Sequence, residues 1–268
     1  MPERQWTDEY TLLCEKCGYV IEGLDTGGNC PECGKPIAES LPERRVGTPW
    51  QQHPSVGSLM RTWWMTLRHP LRTLDVMKVG GRRNRYALKV VTIFAASLIA
   101  ACGFVAYPVY ETIRTESALS VLQLVFTIFI WATIPPFPFL VLTWIESRGL
   151  TIISRTRGFR VDTPLAASIT SHGCVGWLLA AVLFSILYPS GVVLIESVRP
   201  SFVEYYGGRV LTGIGNEFPV PPAPDWVYWV DRALWGTGLL LGFLFFETFA
   251  YLGLRRLKFA NRVRPNHT

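Results

Sequence analysis

Four apolar stretches decide what this chain can become: Ala87–Tyr110, Ser117–Ile145, Leu165–Tyr188 and Val230–Leu254. Roughly twenty helical residues cross a bilayer core, and a soluble helix rarely stays apolar for so long. The chain is 49% hydrophobic and only 17% charged, with ten tryptophans, which suits a membrane protein. The expected core is therefore an all-α bundle of four transmembrane helices over residues 87–264. Ser117–Glu146 is long for one crossing and contains IPPFPF. It is read as one tilted, kinked span, with a span plus a re-entrant segment as the alternative. The opening MPERQWTDEY lacks the basic start and apolar centre of a cleaved signal peptide, so the first span is expected to do the targeting.

Lysine and arginine then orient the bundle, because they collect on the cytoplasmic side. Arg68, Arg72, Lys78, Arg82, Arg83, Arg85 and Lys89 precede the first span, and the following link holds only Arg114. Arg148, Arg155, Arg157 and Arg160 stand between the second and third spans. Arg255, Arg256, Lys258, Arg262 and Arg264 follow the fourth. The alternation places both termini in the cytoplasm. Tyr107, Tyr110, Tyr188, Trp226, Tyr228 and Trp229 collect at the opposite ends, where interfacial aromatics belong.

Residues 1–40 pose a different question. Cys14, Cys17, Cys30 and Cys33 form C-x2-C-x12-C-x2-C, each pair followed by a glycine, Gly18 or Gly34. Those glycines let the backbone fold back so that its amides point at sulfur. Tyr19-Val20-Ile21 gives a short strand signal and Asp25–Asn29 a turn. Four thiolates brought into a tetrahedron suit a structural zinc ion and leave no open position for catalysis. Over residues 12–36 the pattern resembles the zinc-ribbon family, which implies a small β zinc ribbon. Two disulfides or a redox-active pair are the rival readings, and a cytoplasmic site disfavours stable disulfides. Residues 1–40 carry three cations against eight anions, the wrong sign for phosphate backbones, so nucleic acid is not the expected partner.

Between ribbon and bundle, residues 41–86 reverse the sign. Residues 44–89 hold ten cations against Asp75 alone. Gly47-Thr48-Pro49 and Pro54 mark an extended linker. SLMRTWWMTLRH follows, with Met60, Trp63, Trp64 and Leu67 at helical spacing; past Pro70 the pattern continues in Leu71, Leu74 and Met77. This basic, tryptophan-bearing stretch is expected to lie as an amphipathic interfacial helix on an anionic leaflet of the lipid bilayer. A helix packed on the ends of the spans is the alternative. A basic helix with a His69-Pro70 break ahead of several spans also resembles the Ypt-interacting-protein (Yip) family. That family typically has five spans where four are read here; the resemblance implies a trafficking or membrane-organising role without catalysis.

Within the spans, Glu247, His172 and Pro138 each lie about two helical turns from a cytoplasmic end. Ser168, His172, Gly176 and Ala180 make a narrow stripe, and Gly238 and Gly242 allow close packing. Ionisable groups in a bilayer call for a functional hypothesis. His172 and Glu247 are read as an intramembrane polar pair, either a helix-pinning hydrogen bond or a proton or cation site. No phosphate-binding glycine loop, HExxH, GxSxG or paired carboxylates occur, which argues against an enzyme. The leading expectation is a membrane scaffold or adaptor that displays an acidic cytoplasmic zinc ribbon to a cytoplasmic protein partner. A small transporter or channel centred on His172 and Glu247 is the second reading, and a membrane thiol-disulfide oxidoreductase the third.

Overall fold

The structure, a computed structural model, describes residues 8, 10–79, 82–115, 125, 126, 129, 130, 133, 134, 136–205 and 225–262. Helices dominate them. Two short 3-10 turns, Ile37–Ser40 and Pro42–Arg44, lead into α1 (Pro49–Gln52), α2 (Val56–Arg68) and α3 (Pro70–Val76). The long elements follow: α4 (Arg82–Thr115), α5 (Pro136–Thr156), α6 (Thr163–Gly173), α7 (Val175–Tyr205) and α8 (Asp225–Arg256).

Among the described residues, three segments are long and apolar enough to cross a membrane: Arg85–Phe104 in α4, Thr163–Gly191 across α6 and α7, and Asp225–Arg256 in α8. This corrects the four-span expectation. Where a further span was expected over Ser117–Ile145, the described helix begins only at Pro136 and carries Glu146, Arg148 and Arg155. The apolar part of that helix, 136–145, is ten residues, about half of what a crossing needs. Most of residues 117–135, with the question of a kink or a re-entrant break, lies outside the described residues.

The chain divides into two compact units. The first comprises residues 1–93, 137–176 and 244–268, and the second residues 94–136 and 177–243. In the first, Leu74 and Met77 of the α3 end pack with Leu150 of α5, Leu165, Ala166 and Ile169 of α6, and Phe249, Ala250 and Leu254 of α8. Asp162 caps α6 by accepting from the Leu165 amide at 3.0 Å, with Pro164 inside the first turn, so the helix start follows from its Asp-Thr-Pro sequence. Aromatic rings organise the second unit. Phe184 and Tyr188 stack at 5.3 Å and Phe104 and Tyr188 at 5.2 Å. Gly238 there lies against Leu183 and the Phe184 amide, the close approach its glycine permits.

Glycine has the same use in the first unit. A Cβ on Gly253 would lie 2.5 Å from Ile169 Cγ2, nearer than packed carbons tolerate. Gly253→Ala should therefore destabilise the protein by about 1–3 kcal/mol. Gly236→Ala on the same helix, where a Cβ meets nothing within 4 Å, should be nearly neutral. Thermal unfolding in detergent checks the pair; equal effects would mean that α6 and α8 do not pack as described.

The neck is neither extended nor wholly interfacial. Gly47, at φ 90°, donates to Val76 O at 2.7 Å and folds the linker back on α3. In α2 the two tryptophans part company. Trp63 turns inward with Leu59, its indole donating to Thr92 Oγ1 at 2.9 Å, while Met60 and Trp64 remain outside. Arg68 lies over the Trp64 ring. One face of α2 thus packs and the other stays free.

The β ribbon is also corrected. Among the described residues there is no strand or sheet, only two isolated antiparallel bridges, Leu13 with Val20 and Asn29 with Pro36. Val20 pairs backwards across its own cysteine turn instead of forwards across the Asp25–Asn29 turn. Pro36 has no N–H to extend a ladder, and glycines at 27 and 28 lie just before the second bridge. Each bridge therefore stops after one pair.

Candidate metal centre

Each cysteine pair builds its own knuckle. Cys14 N–H donates to Tyr19 O at 2.8 Å, Gly18 to Cys14 O at 2.9 Å and Ile21 to Leu12 O at 2.9 Å. The second pair repeats the set: Cys30 to Lys35 O at 2.8 Å, Gly34 to Cys30 O at 2.9 Å and Ile37 to Gly28 O at 3.0 Å. Gly18 and Gly34 take φ values of 85° and 69°, left-handed backbone that a side chain resists. The turns are closed by glycine, as the sequence suggested. Ile21 and Ile37 fill a small core with Cys14 and Cys30, a repeat that sequence reasoning passed over.

The knuckles bring all four sulfurs within 4.8 Å of one another. Cys14 and Cys33 lie 3.5 Å apart and Cys17 and Cys30 3.6 Å apart, so the near contacts run between knuckles and not within a CxxC. Four thiolates at about 2.3 Å from one zinc stand about 3.8 Å apart. The cluster could hold a metal ion with little rearrangement. Burial works against ionising Cys14, but the amides of Cys17 and Lys16 aim at its sulfur and bring it down to about 7. Burial pushes Cys17 up to about 12 and Cys33 upward as well, so those two thiols ionise only as a metal displaces their protons.

The module is built into the first unit. Glu15, nearly buried, receives a two-pronged ion pair from Arg45: Nη2 lies 2.9 Å from both carboxylate oxygens and Nε 3.2 Å from Oε1. Arg45 Nη1 continues to Leu74 O at 2.9 Å and Asp75 O at 3.2 Å. From the other end of the chain, Asn261 accepts from Leu13 N at 3.0 Å and donates to Leu13 O at 2.7 Å and Ser40 O at 2.5 Å. Arg160 reaches Thr11 O at 2.5 Å and Asn261 Oδ1 at 2.5 Å. Burial and the neighbouring Arg262 lower Arg160 to about 10, so it stays charged at neutral pH. Arg262 itself pairs with Asp162, the cap of α6. Phe259 presses its ring on Gly18, where a Cβ would come within 2.8 Å. Of these partners, the sequence offers Arg45 only as one cation of a basic neck on which an acidic module can dock, and Arg160 and Arg262 only as orienting charges; Asn261 and Phe259 carry no signal.

His172 and Glu247 occupy the same unit without meeting in a hydrogen bond. His172 is fully buried, with Nδ1 2.9 Å from Ser168 O and Nε2 3.3 Å from Thr48 Oγ1. Both ring nitrogens are thus engaged, one by its own helix and one by the linker. Glu247 is not among those partners. A scan against family models and searches of curated proteins and solved structures find no match for this chain.

Proposed function

We propose that the chain is a multi-pass membrane scaffold or adaptor that holds one zinc in its double-knuckle module and presents that module to a cytoplasmic protein. The carrying observation is the module's two unlike faces. Its inner face (Thr11, Leu13, Glu15, Gly18 and Ser40) is occupied by Arg160, Asn261, Arg45 and Phe259. Its outer face exposes Glu22, Leu24 and Glu32 around a shallow recess that also includes Cys17, Tyr19 and Val20, and Asp25, next to Leu24 in the chain, is exposed as well. Apolar centre and acidic rim suit a basic, apolar segment of a partner.

Zinc is the metal because four sulfurs near tetrahedral spacing fill its structural coordination. Orientation rests on the bonds between chain ends. Leu13, ahead of the first apolar helix, binds Asn261, beyond the last, which supports one side for both. The concentration of arginine and lysine there favours the cytoplasm.

Protein purified from membranes should carry about one zinc per chain, and Cys30→Ser should lose it. Iron in its place, or cysteines found as disulfides, would reject the zinc centre. A photo-crosslinker at Leu24 should give a discrete protein adduct in native membranes, abolished by Glu22→Lys with Asp25→Lys while zinc is retained. No adduct, together with solute flux in proteoliposomes, would overturn the scaffold in favour of a transporter.

A further inference from the structure

A cavity of about 490 Å³ opens beside the cysteine module, within the size range of small-molecule sites. Six cations line it: Lys16 and Lys35 from the module, Arg44 from the neck, and Arg255, Arg256 and Lys258 from the end of α8. Three carboxylates share the wall, Glu15, Glu39 and Asp75, and each is already engaged. Asp75 is held by Arg256 at 2.8 Å, Glu39 lies 3.9 Å from Arg44, and Glu15 is taken by the buried Arg45 outside the lining, with Lys35 also 4.0 Å from it.

Lys16, Arg255 and Lys258 are left over. Among the described residues no carboxylate pairs with them. Other groups position them instead. Lys16 Nζ donates to Cys33 O at 3.4 Å, Arg255 Nη1 to Tyr251 Oη at 3.3 Å, and Lys258 lies over the rings of Phe159 and Phe259. A zinc bound by four thiolates adds two negative charges at Cys33, which still leaves cations in excess once Arg45 is counted against Glu15. The carbonyl end of α8 faces an anion unfavourably, so these side chains must supply the attraction.

We propose that this cavity binds a multiply phosphorylated anion. Lysine and arginine converging from three segments match several phosphate oxygens at once, and the volume admits a phosphorylated ring where a lone ion would rattle. Arg255 and Arg256 close a membrane-crossing helix, so the cavity opens at headgroup depth and the same chemistry is offered by an anionic lipid headgroup or a soluble polyphosphate. The site stands whether or not the module's outer face recruits a protein.

The test uses the full-length, zinc-loaded protein in phosphatidylcholine nanodiscs. One arm adds a phosphoinositide to the disc; the other adds soluble inositol trisphosphate to undoped discs. Either should bind, and Lys16→Gln with Arg255→Gln and Lys258→Gln should weaken binding about a hundredfold. Zinc content and unfolding temperature are measured on every variant, and Arg255→Gln with Lys258→Gln, which leaves the module untouched, guards against a folding artefact. Neck variants Arg61→Gln with Arg68→Gln should not lower affinity. Binding in the doped disc alone assigns the ligand to lipid, and binding of the soluble phosphate alone assigns it to solution; both support the site. Absence of binding in both arms, or equal losses in cavity and neck variants, overturns it.

Discussion

Arg45→Ala should cost about 3–5 kcal/mol and loosen the cysteine module from the rest of its unit. Arg45 and Glu15 are only 4% and 7% exposed at their side chains, so removing one leaves a charge that water cannot reach. The loss is compounded at Leu74 O and Asp75 O, which lose the guanidinium as donor. Hydrogen exchange across residues 11–41, read with thermal unfolding, should show the whole module becoming accessible. Arg45→Met combined with Glu15→Leu should recover most of the stability, because a well-packed apolar pair avoids the desolvation penalty. A cost below about 1 kcal/mol for Arg45→Ala is what exposed pairs give, and would mean that the pair is wet. Moderate salt should leave the contact intact, since buried charges are poorly screened.

That docking changes what metal loss is expected to do. A module on an extended, proline-bearing linker could melt alone. Here its inner surface is shared with Phe259, Arg160 and Asn261, and the linker itself buries Arg45 and Thr48. Cysteine substitutions should therefore disturb the helix ends as well as the knuckles, and the two effects should appear in one transition.

Local patterns carried much of the architecture. Long, mostly apolar stretches marked α4, the α6–α7 segment and α8, because burial in lipid is set chiefly by composition and length. The paired CxxC-Gly sequences located the sulfur cluster, since the spacing and the left-handed glycines are local requirements. Tyr19-Val20-Ile21 misled because strand propensity cannot say which neighbour a strand will meet, and Val20 meets Leu13. Cys14, Gly18 and Ile21 recur sixteen residues on as Cys30, Gly34 and Ile37, a repeat that marks two equal turns and not a hairpin. His172 was paired with Glu247 by depth alone. Thr48, a linker residue far away in sequence, was outside any helical-wheel argument. Arg160 and Asn261 were illegible for the same reason: their partners lie a hundred or more residues away in the chain.

Asn261→Leu should cost about 3 kcal/mol, because it strands three backbone groups at once. Leu13 N–H loses its acceptor, while Leu13 O and Ser40 O lose their donor, all three in a buried setting. Arg160 would lose one partner and keep Thr11 O and Ala260 O, so its charge would not be abandoned. Asn261→Asp separates the two halves of the amide's role. The carboxylate can still accept from Leu13 N–H and is attracted to Arg160, but it faces Leu13 O and Ser40 O with oxygen where the amide offered hydrogen. Asp should therefore fall between Asn and Leu at neutral pH. Unfolding measurements on the three proteins, with exchange at the Leu13 amide, separate the outcomes. If Asp and Leu are equally damaging, the donor half of Asn261 holds the chain ends together. Stability unchanged in Asn261→Leu would remove the bond between Leu13 and the tail, and with it the argument that both ends share one side of the membrane.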